Sequence, residues 1–364
     1  MHQYLVTKIK EEAKKQGFIL AGITSPEAPP HINTYLDWVE AGRHASMGYL
    51  ADDRARSRRA DPNLILPEAE SILVLAAPYP DPKLATVKPT QDTKKSKGQI
   101  SAYAWHNDYH ITLKEKLQNI VTFIENEVGH PISNRWYTDT GPILEKDLAQ
   151  RAGLGWIGKN TCLINPKIGS YFFLAEIFLG IPLPLDEPFA ADHCGTCTRC
   201  LDACPTQAIL PNRTIDANLC ISYLTIENKG EIPEELRPKL GDLIFGCDIC
   251  QEVCPWNKKA VPERKAPLDL SKSEPVDEGQ IKIDTHPTLI SELSLTPQEF
   301  NKKFKNNPVK RAKRRGYLRN VAVALGNAGD SASIPALERA LDDIEPLVRD
   351  HAKWALNEIK SKGE

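Results

Sequence analysis

Leu5, Ile9 and Ala13 fall on one face at helical spacing, which predicts a helix over residues 2–17 that Gly17 can end. A second helix is expected over residues 31–41. Residues 71–77 form an unbroken apolar run, short enough to be a buried strand. Over residues 108–128, Ile111, Leu117, Ile120, Val121, Ile124 and Val128 return near every third or fourth position, another helix. Residues 142–152 read as a third long helix, with Pro142 suited to its first turn. Residues 171–179 have a β-type pattern. Helices alternating with strands argue for an α/β (α+β) domain.

Further along, the pattern thins and then returns. Residues 81–99 are rich in Lys, Pro and Thr and predict a mobile loop; residues 261–296, rich in Pro, Lys and Glu, predict a loosely packed linker. Thr296-Pro297-Gln298-Glu299 is a capping box that opens a short helix. Residues 319–327, 334–342 and 346–359 read as helices broken by Gly326, Gly329 and Asp342-Asp343. Val348, Ala352, Ala355, Leu356 and Ile359 line one face. The resulting division is 1–185, 186–260, a linker over 261–296, and 297–364.

The 364 residues leave room for two or three domains, and 41% hydrophobic with 26% charged residues is the composition of a soluble globular chain. The start shows no apolar signal region. The longest apolar run, 171–185, is interrupted by Glu176, Pro182 and Pro184 and is too short to span a bilayer. No element suggests dimerisation, so a cytoplasmic monomer is expected. Charge changes the picture in one place. Lys302, Lys303, Lys305, Lys310, Arg311, Lys313, Arg314, Arg315 and Arg319 come with no acid among them, in a chain of net charge −2. A charge run is usually a solvated helix face. Its density, with Phe304 and Tyr317 nearby, favours a nucleic-acid backbone. Lys310, Arg311, Lys313, Arg314 and Arg315 are its expected centre.

Nine cysteines carry the strongest chemical signal. Cys194, Cys197, Cys200 and Cys204, followed by Pro205, follow C-x2-C-x2-C-x3-C-P, the spacing that holds paired 4Fe–4S clusters. Cys247, Cys250, Cys254 and Pro255 repeat it with Ile244 in the first slot. In the crossed arrangement Cys194, Cys197, Cys200 and Cys254 hold one cluster. Cys204, Cys247 and Cys250 hold the other, with Cys220 free to complete it and Cys162 left over. Zinc explains four such cysteines, but not the third thiolate in the run or the repeated Cys-Pro ending. Thiols of this kind without an export signal indicate a reducing cytoplasm.

Other residues are read against ordinary roles. Gly153-Leu154-Gly155-Trp156-Ile157-Gly158 matches a dinucleotide fingerprint but follows a helix rather than a strand, so a glycine loop near a bulky cofactor fits better. Asp139 precedes an expected helix and most simply caps it. Arg59 can grip a phosphate or amide, or be a solvated surface residue. Cys162 is more simply a small core residue than a reactive thiol. His106 and His110 lack metal-type spacing.

Taken together, Tyr103–His110, Asp139-Thr140-Gly141-Pro142 with Glu145, Gly153–Asn160, both cysteine runs, Cys220–Glu227 and Cys254–Asn257 resemble the epoxyqueuosine reductase family over about residues 1–260. The resemblance implies a nitroreductase-like N-terminal domain holding cobalamin against a ferredoxin-like domain with two 4Fe–4S clusters. It implies Asp139 as proton donor, and Arg59, Asp139, Gly158, Lys159, Asn160, Ser170 and Ser222 as cobalamin contacts. Burial beside the corrin is then expected to raise the pKa of Asp139. The C-terminal helices are similar to HEAT repeats. The implied partners are tRNA bearing epoxyqueuosine in a GUN anticodon, and an external low-potential donor such as flavodoxin or ferredoxin. Alternatives are a cobalamin-dependent reductive dehalogenase, a ferredoxin-type electron carrier with an RNA-binding tail, and a flavin nitroreductase-like enzyme.

Overall fold

Eight consecutive buried residues, Ser71–Pro78, form a strand covered on both faces, which is why the run is apolar throughout rather than alternating. The computed structural model describes residues 2–79, 96–260 and 283–363. In the N-terminal region α1 (His2–Lys15), β1 (Leu20–Thr24), α2 (Ile32–Glu40), α3 (Asp53–Ala60) and β2 (Ser71–Pro78) are followed by β3 (Gln99–Ile100) and α4 (Tyr109–Val128). Then come β4 (Asn134–Tyr137), α5 (Glu145–Arg151), the short strands β5 (Trp156–Ile157) and β6 (Leu163–Ile164), and β7 (Phe172–Leu179). The main sheet runs β1-β2-β7-β4, and each pairing is antiparallel. Alternation of helix and strand in sequence therefore does not make a parallel sheet here.

Helices α1 and α4 bury Val6, Ile9, Ala13, Leu117, Ile120 and Ile124 against Leu73, Leu75 and Ile177 on one face. The other face, with Ile72, Val74 and Phe178, takes Leu148 and Ala149 of α5 and Leu163 of β6. Two expectations shift. Ile111 is exposed rather than on the buried stripe of α4. Helix α5 begins at Glu145, not near Pro142, because residues 138–144 form an irregular turn instead.

The cysteine-bearing part holds α6 (Arg199–Ala203), α7 (Ile221–Ile226), β8 (Leu243–Phe245), α8 (Ile249–Glu252) and α9 (Pro255–Lys259). It is joined to the C-terminal helices α10 (Leu289–Leu293), α11 (Pro297–Lys303), α12 (Lys313–Ala328), α13 (Ile334–Ala340) and α14 (Pro346–Gly363). One apolar cluster runs through both: Ala102, Trp105, Ile244 and Phe245 pack with Leu289, Phe304, Leu318 and Leu356.

Residues 81–95 of the expected loop and 261–282 of the expected linker lie outside the described residues. The rest of both stretches is packed. Lys97 bridges to Thr288, β3 pairs with β8, and Leu289 and Leu293 are buried. The capping box of Thr296 and Glu299 is formed. Gly326 does not break α12. It is the contact point with α14, where a Cβ would stand 2.8 Å from the Trp354 ring and 2.9 Å from the Ala355 backbone. The helix ends instead at Gly329, in the left-handed conformation.

Arg319 is fully buried, its guanidinium donating to the carbonyls of Leu224, Asn228 and Gly230 and to Asn320. It therefore leaves the basic surface and instead fastens α12 to the segment after Cys220. Arg319→Met is expected to lower stability by about 3 kcal/mol, since several buried acceptors lose a charged donor, and a denaturant titration checks it.

Candidate active site and cysteine clusters

Strand β4 ends at Tyr137, and the chain turns sharply through Thr138, whose hydroxyl donates to the Leu174 carbonyl. Asp139 then adopts φ +61°, a left-handed conformation that Asp tolerates better than most residues. The turn needs Gly141, since a Cβ there would lie 2.6 Å from the Tyr137 ring. This geometry presents an Asp139 carboxylate that is 64% exposed yet ringed by polar groups. It is not a helix cap.

The ring is specific. Tyr109 donates to Asp139 Oδ2 at 2.7 Å, and His110 Nε2 stands 3.6 Å from the same oxygen. His110 Nδ1 lies 2.7 Å from Asp108 Oδ1. The Asp139 backbone N–H donates to Glu145 Oε1 at 2.6 Å. The Tyr109 ring stacks on Phe173, with centroids 4.1 Å apart, and Tyr103 meets it edge-on. Arg311, paired with Glu227 at 2.7 Å, adds its charge from the C-terminal helices, and exposed Tyr49 lies beside that pair.

Charge balance around Asp139 works against a raised pKa. Partial desolvation pushes the Asp139 carboxyl up, but the Tyr109 hydrogen bond and the charges of His110, 3.6 Å away, and of Arg311 hold it below the usual carboxylate range. Burial pulls His110 down, yet its bond to Asp108 and the charges of Asp108 and Asp139 raise it to about 9. Both shifts favour opposite charges on His110 and Asp139, whose atoms stand 3.6 Å apart. Sequence reading passed over His110, Tyr109, Glu145 and Glu176 as site members. The signal for the first two was their place in the Tyr103–His110 stretch.

Cys194, Cys197, Cys200 and Cys254 line one cavity of about 220 Å³. Trp156 Nε1 lies 3.4 Å from Cys194 Sγ, and Lys159 donates to the carbonyls of Gly195 and Cys197. The second set is Cys204, Cys220, Cys247 and Cys250. Burial, helped by the neighbouring Cys220 and Cys204 thiols, pushes the Cys247 thiol up to about 12. Cys250 is hydrogen-bonded to Cys162, so the ninth cysteine sits beside this set rather than alone in the core. Among the described residues no three His, Cys, Asp or Glu side chains are close enough to hold a single metal ion. Two sets of four thiols suit a polynuclear cluster, and burial makes the unligated thiolates costly.

The remaining predicted site residues scatter. Asn160 donates to the Cys250 carbonyl, and Ser170 donates to Gln251 and accepts from Asn257. These residues tie the β5–β6 hairpin and β7 to the cysteine-bearing segment. A Cβ at Gly158 would lie 2.5 Å from the end of the Ile164 side chain, which would have to shift to admit it. Ser222 is half-buried at the start of α7. Arg59 is buried, not solvated, and lies over the Tyr35 ring.

In the basic stretch Lys302, Lys305, Lys310, Arg311 and Lys313 are exposed. Lys303 pairs with buried Glu292, and Arg314 pairs with Asp343 and donates to the Leu295 carbonyl, while Arg315 is only partly exposed. Phe304 and Tyr317 are fully buried and pack together with Phe300, so they belong to the core and not to a nucleic-acid surface. No described helix is long and apolar enough to cross a membrane.

Three family models match. Residues 59–140 match the one described as "Epoxyqueuosine reductase QueG, DUF1730", residues 193–257 a 4Fe–4S double cluster binding domain, and residues 318–343 a PBS lyase HEAT-like repeat. The epoxyqueuosine reductase of Pseudomonas aeruginosa is 40% identical over 97% of this chain and 94% of its own length. That of Escherichia coli is 36% identical over 97% and 89%. A crystal structure of epoxyqueuosine reductase with an epoxyqueuosine-modified tRNA stem loop superposes with a TM-score of 0.85 at 32% identity, covering 99% of this chain and 91% of that one. A Bacillus subtilis epoxyqueuosine reductase, TM-score 0.85 and 31% identical over the same shares, has its catalytic aspartate loop swung out of the active site.

Proposed function

The chain belongs to the epoxyqueuosine reductase family, and on that footing we propose that it removes the epoxide oxygen of epoxyqueuosine at the tRNA wobble position, leaving queuosine. The substrate takes up two electrons and two protons. Its two C–O bonds break, a C=C bond forms, and the oxygen leaves as water. Cobalamin, when bound, supplies a low-potential reducing centre, with two 4Fe–4S clusters as the source of single electrons. In this reading Cys194, Cys197, Cys200 and Cys254 hold one cluster and Cys204, Cys220, Cys247 and Cys250 the other. In the same reading Arg59, the Gly158–Asn160 loop, Ser170 and Ser222 would contact the cobalamin.

The observation that carries the chemistry is Asp139: an accessible carboxylate, fixed by Tyr109 and His110, on a turn that only a left-handed residue and Gly141 can make. An alkoxide leaves poorly without a proton, and Asp139 is placed to give one. The nearby Arg311–Glu227 pair and Tyr49 frame the approach of the modified base. The aspartate loop that swings in the Bacillus subtilis relative suits a donor that must close on its substrate. Protein purified anaerobically with cobalamin is expected to show cob(II)alamin and two 4Fe–4S clusters by visible and paramagnetic resonance spectra, and to convert epoxyqueuosine-containing tRNA. Clusters without cobalamin or conversion would point instead to a plain electron carrier. Flavodoxin or ferredoxin is the class of donor expected to feed the clusters.

Docking of tRNA is assigned to the exposed cations of the basic stretch, with phosphate contacts rather than base contacts dominating. Lys310 and Lys313 are the positions to test, because Arg314 already serves Asp343. Reversing both charges is expected to weaken tRNA binding and flatten the salt dependence by about 2 in log–log slope, with cluster spectra unchanged. Unchanged affinity across a salt titration would remove the patch from the interface.

A further inference from the structure

Glu176 sits at 0% exposure in the middle of β7, opposite Val74 of β2 and Tyr137 of β4. Its neighbours on that face, Leu174 and Phe178, belong to the apolar cluster under α5. Neither carboxyl oxygen has an ordinary hydrogen-bond partner. The group that approaches it is another carboxyl, Glu145 at the first position of α5, which also accepts the Asp139 backbone N–H. The charges reaching Glu176 are those of Glu145 and Asp139, both acids. Glu145 is half-buried, with Lys146 beside it on α5 and Tyr109 across from it on α4. Two adjoining carboxyls in such surroundings cannot both ionise cheaply.

The reaction consumes two protons, and Asp139, ionised as it stands, carries neither. We propose that the Glu145–Glu176 pair holds one proton at a time and passes both protons of each turnover to Asp139. The inference rests on Asp139 as the donor. Glu145–OH gives its proton to the Asp139 carboxylate, Asp139–OH gives it to the departing oxygen, Glu145 reloads from solvent, and the same sequence supplies the second proton. Glu176 keeps its own proton throughout and so spares Glu145 a neighbouring charge. Neither residue touches the substrate; both are positioning residues. The titration behaviour agrees: burial and then the Asp139 charge raise Glu145 to about 7, while burial and then Glu145 hold Glu176 well above the carboxylate range. His110, the other nearby proton carrier, is gripped by two carboxylates and raised to about 9, so it releases its proton less readily at neutrality.

The test uses the holoenzyme on an epoxyqueuosine-modified tRNA stem loop, followed across pH. The acid form of Glu145 is the working one, so the wild-type rate is expected to fall as pH rises through about 7. Glu145→Gln is expected to be slower by about tenfold or more and to lose this limb, with Glu145→Asp restoring part of both. Glu176→Gln, of nearly the same shape, keeps a neutral hydrogen-bond donor beside Glu145, so the limb is expected to stay near its wild-type position. Infrared difference spectra of the cofactor-free protein give a second readout. A carboxyl band that titrates near neutrality is expected to vanish in Glu145→Gln, and a non-titrating one in Glu176→Gln. A wild-type rate and pH limb in Glu145→Gln would overturn the proposal, as would loss of the limb in His110→Asn alone or the absence of any protonated carboxyl band removed by Glu176→Gln. If instead Asp139→Asn turned over normally, the donor assignment would fail while the infrared result stood.

Discussion

Asp139→Asn is expected to slow epoxide reduction by about 10²–10⁴-fold, the range over which a positioned general acid contributes. Asparagine keeps the size and still accepts from Tyr109, so the turn, the clusters and tRNA affinity are expected to survive; only the proton is lost. The structure makes this sharper than residue type alone. The carboxylate is ionised as it stands, because the Tyr109 hydrogen bond and the charges of His110 and Arg311 outweigh its partial desolvation. A donor must therefore gain a proton before it can give one, and that uptake is favoured as pH falls. The rate of the wild-type protein is expected to decline toward alkaline pH, and the residual rate of Asp139→Asn to lack that dependence. Single-turnover assays on a modified stem loop, paired with cluster spectra, check both. A full rate in the variant would take Asp139 out of the chemistry.

Much of this arrangement is legible in the sequence, and the misses have physical causes. The strand at Ser71–Pro78 is legible because a sheet covered on both faces needs no polar alternation. Its antiparallel pairing is not, because an intervening helix is compatible with either direction. Gly326 looks like a helix breaker, yet close approach to Trp354 and Ala355 is what requires it. Phe304, Tyr317 and Arg319 look like parts of a nucleic-acid surface, since local charge density does not reveal which side of a helix faces the core. Glu176 is the instructive miss. It registers only as an interruption of an apolar run, although a lone acid within an otherwise buried strand is itself the signal. Asp139 is legible as a motif member, but its ionisation is not, since that depends on which cations the fold brings around it.

Cys220→Ala is expected to remove one of the two clusters and with it almost all turnover, while leaving the cluster at Cys194, Cys197, Cys200 and Cys254 visible by paramagnetic resonance. The second cysteine run has a gap in its first slot. Ile244 fills that slot, and it is fully buried within β8, packed among Phe245 and the C-terminal helices, so no ligand comes from there. Cys220 stands at the N-terminus of α7, where its thiol lies within electrostatic reach of Cys204 and, through Cys247, of the same buried set. Cys162 competes for the role, because it is bonded to Cys250. It differs in its backbone setting: Cys162 follows a hairpin turn whose amide bonds run to Asn160 and Gly158, on the side of β5 and β6 rather than on the ferredoxin-like segment. Alanine at each position separates them. Loss of one cluster signal and half the iron in Cys220→Ala, with both clusters kept in Cys162→Ala, assigns the fourth ligand to Cys220. The reverse pattern would move the ligand to Cys162 and leave Cys220 as its packed neighbour.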